Sequence, residues 1–263
     1  MKKVAYLFLL LLISLPVFVT ACNSASNQDI LYQTSTLNAL MEGVYDGTIS
    51  LKEVKQQGNF GVGTFDNLDG EMVVLDGRIY QIKSDGKVYL PEESTETPFV
   101  AVTFFNSDQT FNTENIANVD QMTKLLDSTL QTSNIFYAVK IDGSFDYMKT
   151  RSVPRQNKPF PPLAKVTQSI FEFKNIEGTI IGLRCPAFSS GFNLPGYHFH
   201  FISKDKKGGG HVIDFKLRNA KVEIDATEGF YMELPPSPEF YQLDLTGAKQ
   251  DDVNRIEKGG AGN

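Results

Sequence analysis

The chain has 263 residues with 31 acidic and 25 basic side chains, which gives a formal net charge of −6 at pH 7 when its three histidines are neutral. This acidic balance argues against nucleic acid or an anionic membrane surface as a partner, because both carry negative charge. The length is sufficient for one large domain with its own apolar core.

The first 21 residues have the pattern of an export signal. Two lysines precede an apolar run that is shorter than the ~20 residues of a membrane span and is interrupted by Pro16. A Val-Thr-Ala-Cys sequence ending at Cys22 follows, and it is typical of a bacterial lipobox. We therefore predict a lipoprotein-type signal peptide over residues 1–21 and an exported protein, anchored at the extracytoplasmic face only through a lipid on Cys22. An ordinary secretory peptide with an incidental cysteine is the alternative.

With Cys22 lipidated, Cys185 would be the single remaining cysteine, which excludes an intramolecular disulfide. Cys185 lies in an apolar context, so we expect a small buried side chain rather than a metal ligand. Residues 22–29 are small and polar and predict a tether, and we expect one folded unit over residues 30–263. The basic, proline-rich segment 151–162 is the place where this unit could divide into two fused β-rich halves.

The first half of the folded unit begins with helical patterns and continues with strands. Ser50 and Glu53 predict a capping box at the start of the second helix. Asp-Gly dipeptides predict hairpin turns between the strands that follow. The helices predicted here cover 37–42, 50–58 and 119–130, and the strands cover 60–65, 71–75, 78–82, 87–90, 100–105 and 135–141.

The second half is dominated by runs of alternating apolar residues. We predict a helix over 162–169 and strands over 171–173, 178–184, 197–202, 211–217, 221–224, 230–234 and 241–245. Together the elements predict an α+β fold that is rich in β-structure, with mostly antiparallel or mixed sheets and a few short helices.

All three histidines fall between positions 198 and 211, in the second half of the chain. His198 and His200 are two residues apart, so a strand would place both imidazoles on one face. A glycine-rich turn follows, and His211 begins the next apolar run, so a β-hairpin would bring the third imidazole beside the other two. Three neutral imidazoles that converge from strands favour a Zn²⁺ site with coordination positions left open for a substrate.

Several segments of the chain resemble one family, the bacterial alpha-acetolactate decarboxylases. The matching stretches are Gly-Val-Gly-Thr-Phe-Asp-Asn-Leu-Asp-Gly-Glu ending at Glu71, Arg-Ser-Val-Pro-Arg at 151–155, and Gly-Tyr-His-Phe-His-Phe at 196–201 with His211. Glu257 matches an acidic residue near the C-terminus of the family. The resemblance runs from about residue 30 to the C-terminus, which is essentially the whole predicted mature chain.

The resemblance implies that residues 30–263 form a catalytic domain that converts 2-acetolactate, a small 2-hydroxy-3-oxo acid, to (R)-acetoin and CO₂ with zinc as cofactor. The site residues that it implies are the zinc ligands His198, His200 and His211 and the lining residues Glu71, Glu257, Arg151 and Thr64. Many family members are cytoplasmic. The predicted export signal therefore implies a different cellular location for this protein, but not a different reaction.

The proposed reaction needs the kinds of side chain that are found at the positions matching the family. Loss of CO₂ leaves an electron pair that flows into the neighbouring ketone as an enediolate, and a divalent metal is a Lewis-acid sink for that charge. The substrate carboxylate needs a cationic fork, for which Arg151 in the proline-bounded loop is favoured over Arg155. Glu71 or Glu257 would return a proton to one face of the enediolate. The sequence leaves open whether these glutamates transfer protons or bind the metal.

Two other functions stay open at this point. Another three-histidine zinc lyase or hydratase would use metal-bound hydroxide and would need no clamp for a substrate carboxylate. A surface lipoprotein that binds a metal or a small ligand without turnover would need no proton donor. The oligomeric state is open as well, and a homodimer is one alternative.

Overall fold

The structure is a computed structural model that describes residues 29–246 and 250–257, with only the backbone for residues 250, 251, 254 and 257. The predicted signal peptide, the lipid-bearing Cys22 and almost all of the predicted tether lie outside the described residues, and so does the side chain of Glu257. None of the helices in the described ranges has the length and apolar character to cross a bilayer.

Fourteen strands and five α-helices form within the described residues. The strands are β1 (Ile30–Thr34), β2 (Ile49–Ser50), β3 (Phe60–Thr64), β4 (Glu71–Leu75), β5 (Arg78–Ile82), β6 (Val88–Tyr89), β7 (Glu96–Thr97), β8 (Val100–Thr103), β9 (Gln109–Ile116), β10 (Phe136–Ser152), β11 (Ser169–Cys185), β12 (Gly196–Ser203), β13 (Gly209–Thr227) and β14 (Gly229–Glu233). The helices are α1 (Leu37–Met41), α2 (Leu51–Gln57), α3 (Val119–Thr129), α4 (Pro238–Tyr241) and α5 (Gln250–Glu257).

Helix α2 and the β4–β5 turn form where the sequence predicted them. The hydroxyl of Ser50 accepts from the amide of Glu53, whose carboxylate accepts from the amide of Ser50 in return, which completes the predicted capping box. Asp76 and Gly77 both have positive φ, 51° and 74°, as a two-residue hairpin turn of this kind requires.

The first sheet has seven strands among the described residues, in the order β14-β1-β8-β3-β4-β5-β6. Every neighbouring pair is antiparallel except β1 and β14, which run parallel. Strands β3 and β4 lie near the middle, and every residue of both is buried. The side chains at the ends of these strands are therefore held inside the molecule.

The second sheet closes on itself. Its order in the described part is β10-β11-β12-β13-β9, and β10 also pairs with β13, so β10, β11, β12 and β13 form a ring of antiparallel neighbours. The pairing between β12 and β13 is the least extensive in this ring, with three paired positions. One of these positions pairs His200 with His211.

An apolar layer joins the two sheets. It contains Val62 and Val73 of the first sheet together with Ile181, Leu183 and Ile202 of the second, all at most 2% exposed. Burial of apolar surface on this scale is the main stabilising contribution to a fold of this kind. Because β3 and β4 pack on β11 and β12, the start of β4 lies close to the histidines of β12.

The fold class is confirmed as β-rich with mixed and antiparallel sheets, and two predicted elements are wrong. The helix predicted over 162–169 is a single 3-10 turn at Leu163–Lys165, because the backbone is already extended at Val166 and β11 begins at Ser169. The strand predicted over 241–245 is irregular chain after α4, which Ser237 caps. Segment 151–162 begins within β10, whereas the chain passes from the first sheet to the second between β8 and β9.

Candidate metal centre

The histidine-bearing hairpin of β12 and β13 forms as the sequence predicted. His200 lies directly opposite His211 in the antiparallel register, and His198 lies two residues earlier on β12. The hydroxyl of Ser203 closes the intervening turn by accepting hydrogen bonds from the amides of Lys207 and Gly208, both at 3.1 Å. The turn thus fixes the register that places the imidazoles side by side.

One nitrogen of each imidazole points to a common centre. Nε2 of His198 lies 3.1 Å from Nε2 of His200 and 3.2 Å from Nδ1 of His211. His200 is fully buried and His211 nearly so, at 0% and 2% exposed, while His198 is partly accessible. The three ligand atoms could therefore be reached from the side of His198.

The donor set fits a divalent metal ion. Nitrogens placed tetrahedrally at about 2.0–2.1 Å from Zn²⁺ would be about 3.3 Å apart, which is close to the spacing found here. Nδ1 of His200 donates to the carbonyl oxygen of Met72 at 2.7 Å, so the lone pair of this ring is on Nε2, the nitrogen that faces the other two histidines. Three imidazole nitrogens and an open side match the chemistry of a catalytic metal site.

His200 is held in the uncharged form that a metal ligand requires. Burial, followed by the nearby imidazoles of His198 and His211, holds the pKa of His200 well below its ordinary value. At neutral pH the ring is therefore a neutral donor with one lone pair available.

A buried ion pair lies beside the histidines. Nη1 of Arg151 is 2.7 Å from Oε1 of Glu71, and the two side chains are 6% and 8% exposed. Oε2 of the same glutamate lies 3.5 Å from Nε2 of His200. Arg151 is opposite His211 in the β10–β13 register, so it lies near the end of a strand and not in the loop that the sequence suggested.

Thr64 supports the turn that leads into Glu71. The two residues are paired across β3 and β4. The Thr64 hydroxyl donates to the carbonyl oxygen of Gly70 at 2.7 Å, and the side chain is buried. In this position Thr64 fixes the backbone beside the acidic residue.

These residues share one cavity of about 50 Å³. His198, His211, Glu71, Arg151 and Thr64 line its polar side. The opposite side is apolar and is formed by Leu37, Leu40, Leu68, Phe99, Val153 and Leu163. The cavity therefore suits a small ligand with one oxygen-rich face and one alkyl face.

The other two charged residues of the prediction lie elsewhere or outside the description. Arg155 has a side chain that is 56% exposed, and its Nη2 lies 3.6 Å from the carboxylate of Asp66, away from the cavity. Glu257 is the last residue of α5, and its side chain lies outside the described residues. Val253 and Ile256 of α5 are buried in the apolar cluster that includes Leu37 and Leu40, so this helix packs close to the cavity.

Sequence reasoning missed the Met72 carbonyl and the whole apolar wall. The carbonyl has no side-chain signature, because any residue after Glu71 would supply it. The wall comes from α1, the turn at Asp66–Leu68, the residue before β8 and the segment after β10, which are far apart in the chain. No local pattern marks such a set.

Comparisons with known proteins give relatives along nearly the whole described chain. The sequence profile of the family described as alpha-acetolactate decarboxylase matches residues 31–247. A protein of Methanosarcina mazei named alpha-acetolactate decarboxylase is 48% identical over 238 residues, which cover 90% of this chain and 82% of that protein. One of the same name from Brevibacillus brevis is 41% identical over 232 residues, covering 88% of this chain and 81% of that protein.

A solved structure shares the fold. The crystal structure of alpha-acetolactate decarboxylase from Bacillus subtilis strain 168 superimposes with a TM-score of 0.84 at 36% sequence identity, and the match covers 88% of this chain and 100% of that chain.

Proposed function

The chain belongs to the alpha-acetolactate decarboxylase family, a family of carboxy-lyases, and from this we propose that it converts 2-acetolactate to (R)-acetoin and CO₂ with Zn²⁺ as cofactor. The observation that carries the proposal is the meeting of three imidazole donors with the Glu71–Arg151 pair, beside a small cavity that His198, His211, Glu71 and Arg151 line. His198, His200 and His211 would hold the ion. When bound, it would supply a Lewis acid that stabilises negative charge developing on the substrate oxygens.

Arg151 is assigned the binding of the substrate carboxylate. The guanidinium is permanently charged, and its planar fork can accept a carboxylate while one nitrogen stays on Glu71. Its place on β10 beside His211 would align the carboxylate with the metal centre. The bond from C2 to the carboxylate carbon then breaks, and its electron pair stays on C2 and is delocalised into the adjacent ketone.

Glu71 is assigned the return of a proton to C2, which completes acetoin. Its Oε2 lies at the metal centre, 3.5 Å from Nε2 of His200, and the turn held by Thr64 fixes it there. A proton delivered from one fixed side gives one enantiomer. Each turnover consumes one proton, which would reach Glu71 from solvent.

The test is product analysis with purified protein and 2-acetolactate. CO₂ and acetoin should appear in equal amounts, the acetoin should be the (R) enantiomer, and a chelator should stop the reaction until Zn²⁺ is restored. A zinc-loaded protein that releases no CO₂ would refute the decarboxylase proposal and favour a binding protein. Turnover that continues after complete metal removal would refute only the zinc dependence.

We also propose that the enzyme acts outside the cytoplasm, anchored through a lipid on Cys22. The support is the Val-Thr-Ala-Cys sequence behind a short apolar segment. The substrate would then be met at the outer face of the membrane.

A further inference from the structure

Leu68 has a backbone conformation that leucine rarely adopts. Its φ is +57°, and that of Asn67 before it is +58°. Asparagine tolerates this left-handed region, but the Cβ of a leucine is crowded there by the neighbouring carbonyl oxygen. Of the leucine, valine and phenylalanine side chains that line the cavity, Leu68 alone has this conformation within the described residues.

Hydrogen bonds on both sides hold the turn in this shape. The amide of Asn67 donates to the carbonyl of Tyr45 at 2.7 Å, and the carbonyl of Asn67 accepts from the amide of Gln156 at 2.8 Å. The amide of Gly70 donates to the carbonyl of Leu68 at 2.9 Å. The turn is therefore fixed to two separate segments and closed by one hydrogen bond of its own around a strained residue, which is the setting in which strain marks a functional position.

The strain places an apolar side chain at the site. Leu68 is 2% exposed, lies three residues before Glu71 and lines the cavity together with it. In the proposed reaction, the polar groups of the cavity would face the carboxylate, hydroxyl and ketone oxygens of the substrate. What remains of 2-acetolactate is two methyl groups, and the apolar wall is the surface left to receive them.

We propose that Leu68 is a specificity-determining residue that limits the size of the alkyl groups a 2-hydroxy-3-oxo acid may carry. The inference rests on the proposed decarboxylation. The cavity is small, at about 50 Å³, so the alkyl groups of a substrate held beside Glu71 and Arg151 would lie against the apolar wall that includes Leu68. Leu68 cannot yield easily, because its backbone is fixed on both sides.

The experiment compares 2-acetolactate with its two ethyl homologues, 2-ethyl-2-hydroxy-3-oxobutanoate and 2-hydroxy-2-methyl-3-oxopentanoate. In Leu68→Ala, kcat/KM for at least one homologue relative to 2-acetolactate should rise about tenfold over the unaltered enzyme. Leu68→Gly should show the same shift and a higher Tm than Leu68→Ala, because glycine adopts positive φ without strain. If the alanine variant folds poorly, the substrate ratio can still be measured with the glycine variant.

Leu51→Ala is the matched control. Leu51 is 1% exposed and lies in an apolar cluster that shares no residue with the cavity wall, so its loss should lower Tm and leave the substrate ratio unchanged. Unchanged ratios for both homologues in both Leu68 variants would overturn the inference while the unaltered enzyme still decarboxylates 2-acetolactate. An unaltered enzyme that releases no CO₂ would instead refute the proposed function.

Discussion

Glu71 and Arg151 join the two sheets through a contact of 2.7 Å between Oε1 and Nη1. Glu71 begins β4 in the first sheet, and Arg151 lies near the end of β10 in the second. Two charges buried this deeply are tolerated because each neutralises the other, and removing one would take away the counter-charge of the other at a cost of about 3–5 kcal/mol. The relative placement of the sheets and the charge of the site therefore depend on the same contact.

Arg151→Lys should lower the turnover of 2-acetolactate substantially while the metal stays bound. Lysine keeps the charge but cannot hold Glu71 and a substrate carboxylate in one planar fork. The measurements are kcat, KM and zinc content. Arg155→Lys is the control, because that exposed side chain is outside the cavity and should leave all three unchanged. A fully active Arg151→Lys enzyme would show that Arg151 does not bind the substrate carboxylate through its planar fork.

Glu71→Gln should separate CO₂ release from stereocontrol. The amide can still hydrogen-bond Arg151 but cannot deliver a proton, so water would protonate C2 from either face. We expect slower CO₂ release and acetoin with a reduced excess of the (R) enantiomer, measured by chiral chromatography. Unchanged rate together with unchanged enantiomeric excess would exclude a proton-transfer role for Glu71.

His211→Ala should remove most of the bound metal and the activity while the β-rich fold survives. The imidazole supplies one of three nitrogens at the centre, but it makes up little of the apolar layer between the sheets. Metal analysis of the purified variant, with circular dichroism as the check on folding, tests this. Full zinc occupancy in a folded His211→Ala protein would defeat the ligand assignment.

Asp225→Asn should stabilise the protein at pH 8 and have little effect near pH 4. Asp225 is 0% exposed, and burial, with Asp108 and Asp29 nearby, raises its pKa to about 7. The folded state therefore holds its proton more tightly than the unfolded chain, so stability falls as pH rises from about 4 to about 7. Asparagine cannot ionise, so the substitution should raise the free energy of unfolding at pH 8 by roughly 2–4 kcal/mol. Equal urea midpoints of variant and unaltered protein at pH 8 would contradict this.

Cys22→Ser should abolish fatty-acid labelling and release the protein from bacterial membranes without changing its specific activity. Serine lacks the thiol that lipidation needs. Cys185→Ala is the control and should remain labelled, because the Cys185 side chain is 1% exposed inside the fold. Unlabelled, cytoplasmic protein with Cys22 intact would refute the export signal.

The metal centre was largely predictable because its information is local. The His198–His200 spacing and the glycine-rich turn before His211 predict a hairpin with converging imidazoles, and the structure has that hairpin. The approach of Glu71 and Arg151 came only from the resemblance. Nothing in residues 71 or 151 by themselves indicates an ion pair across two sheets.

The long strands were predicted only in pieces. Strand β10 was expected to end near residue 141, yet it continues through Gly143 and Ser144 to Ser152 because both of its edges are paired, with β11 and β13. Edge strand β9 was missed since most of its side chains are exposed, so its sequence carries no alternating apolar signal. Strand β1 was missed as well, and its parallel partner lies about two hundred residues away.

The parallel pairing of β1 with β14 also bears on how the chain reaches its folded state during synthesis. Ile30 is aligned with Gly229, so the outer edge of β1 stays unpaired until nearly the whole chain has been made. An open strand edge is a template for association with other chains, and contacts of such sequence separation form slowly. A nascent chain of this protein would therefore need protection of that edge until β14 has emerged. A chain truncated before Gly229 should aggregate even though its histidines and ion pair are present.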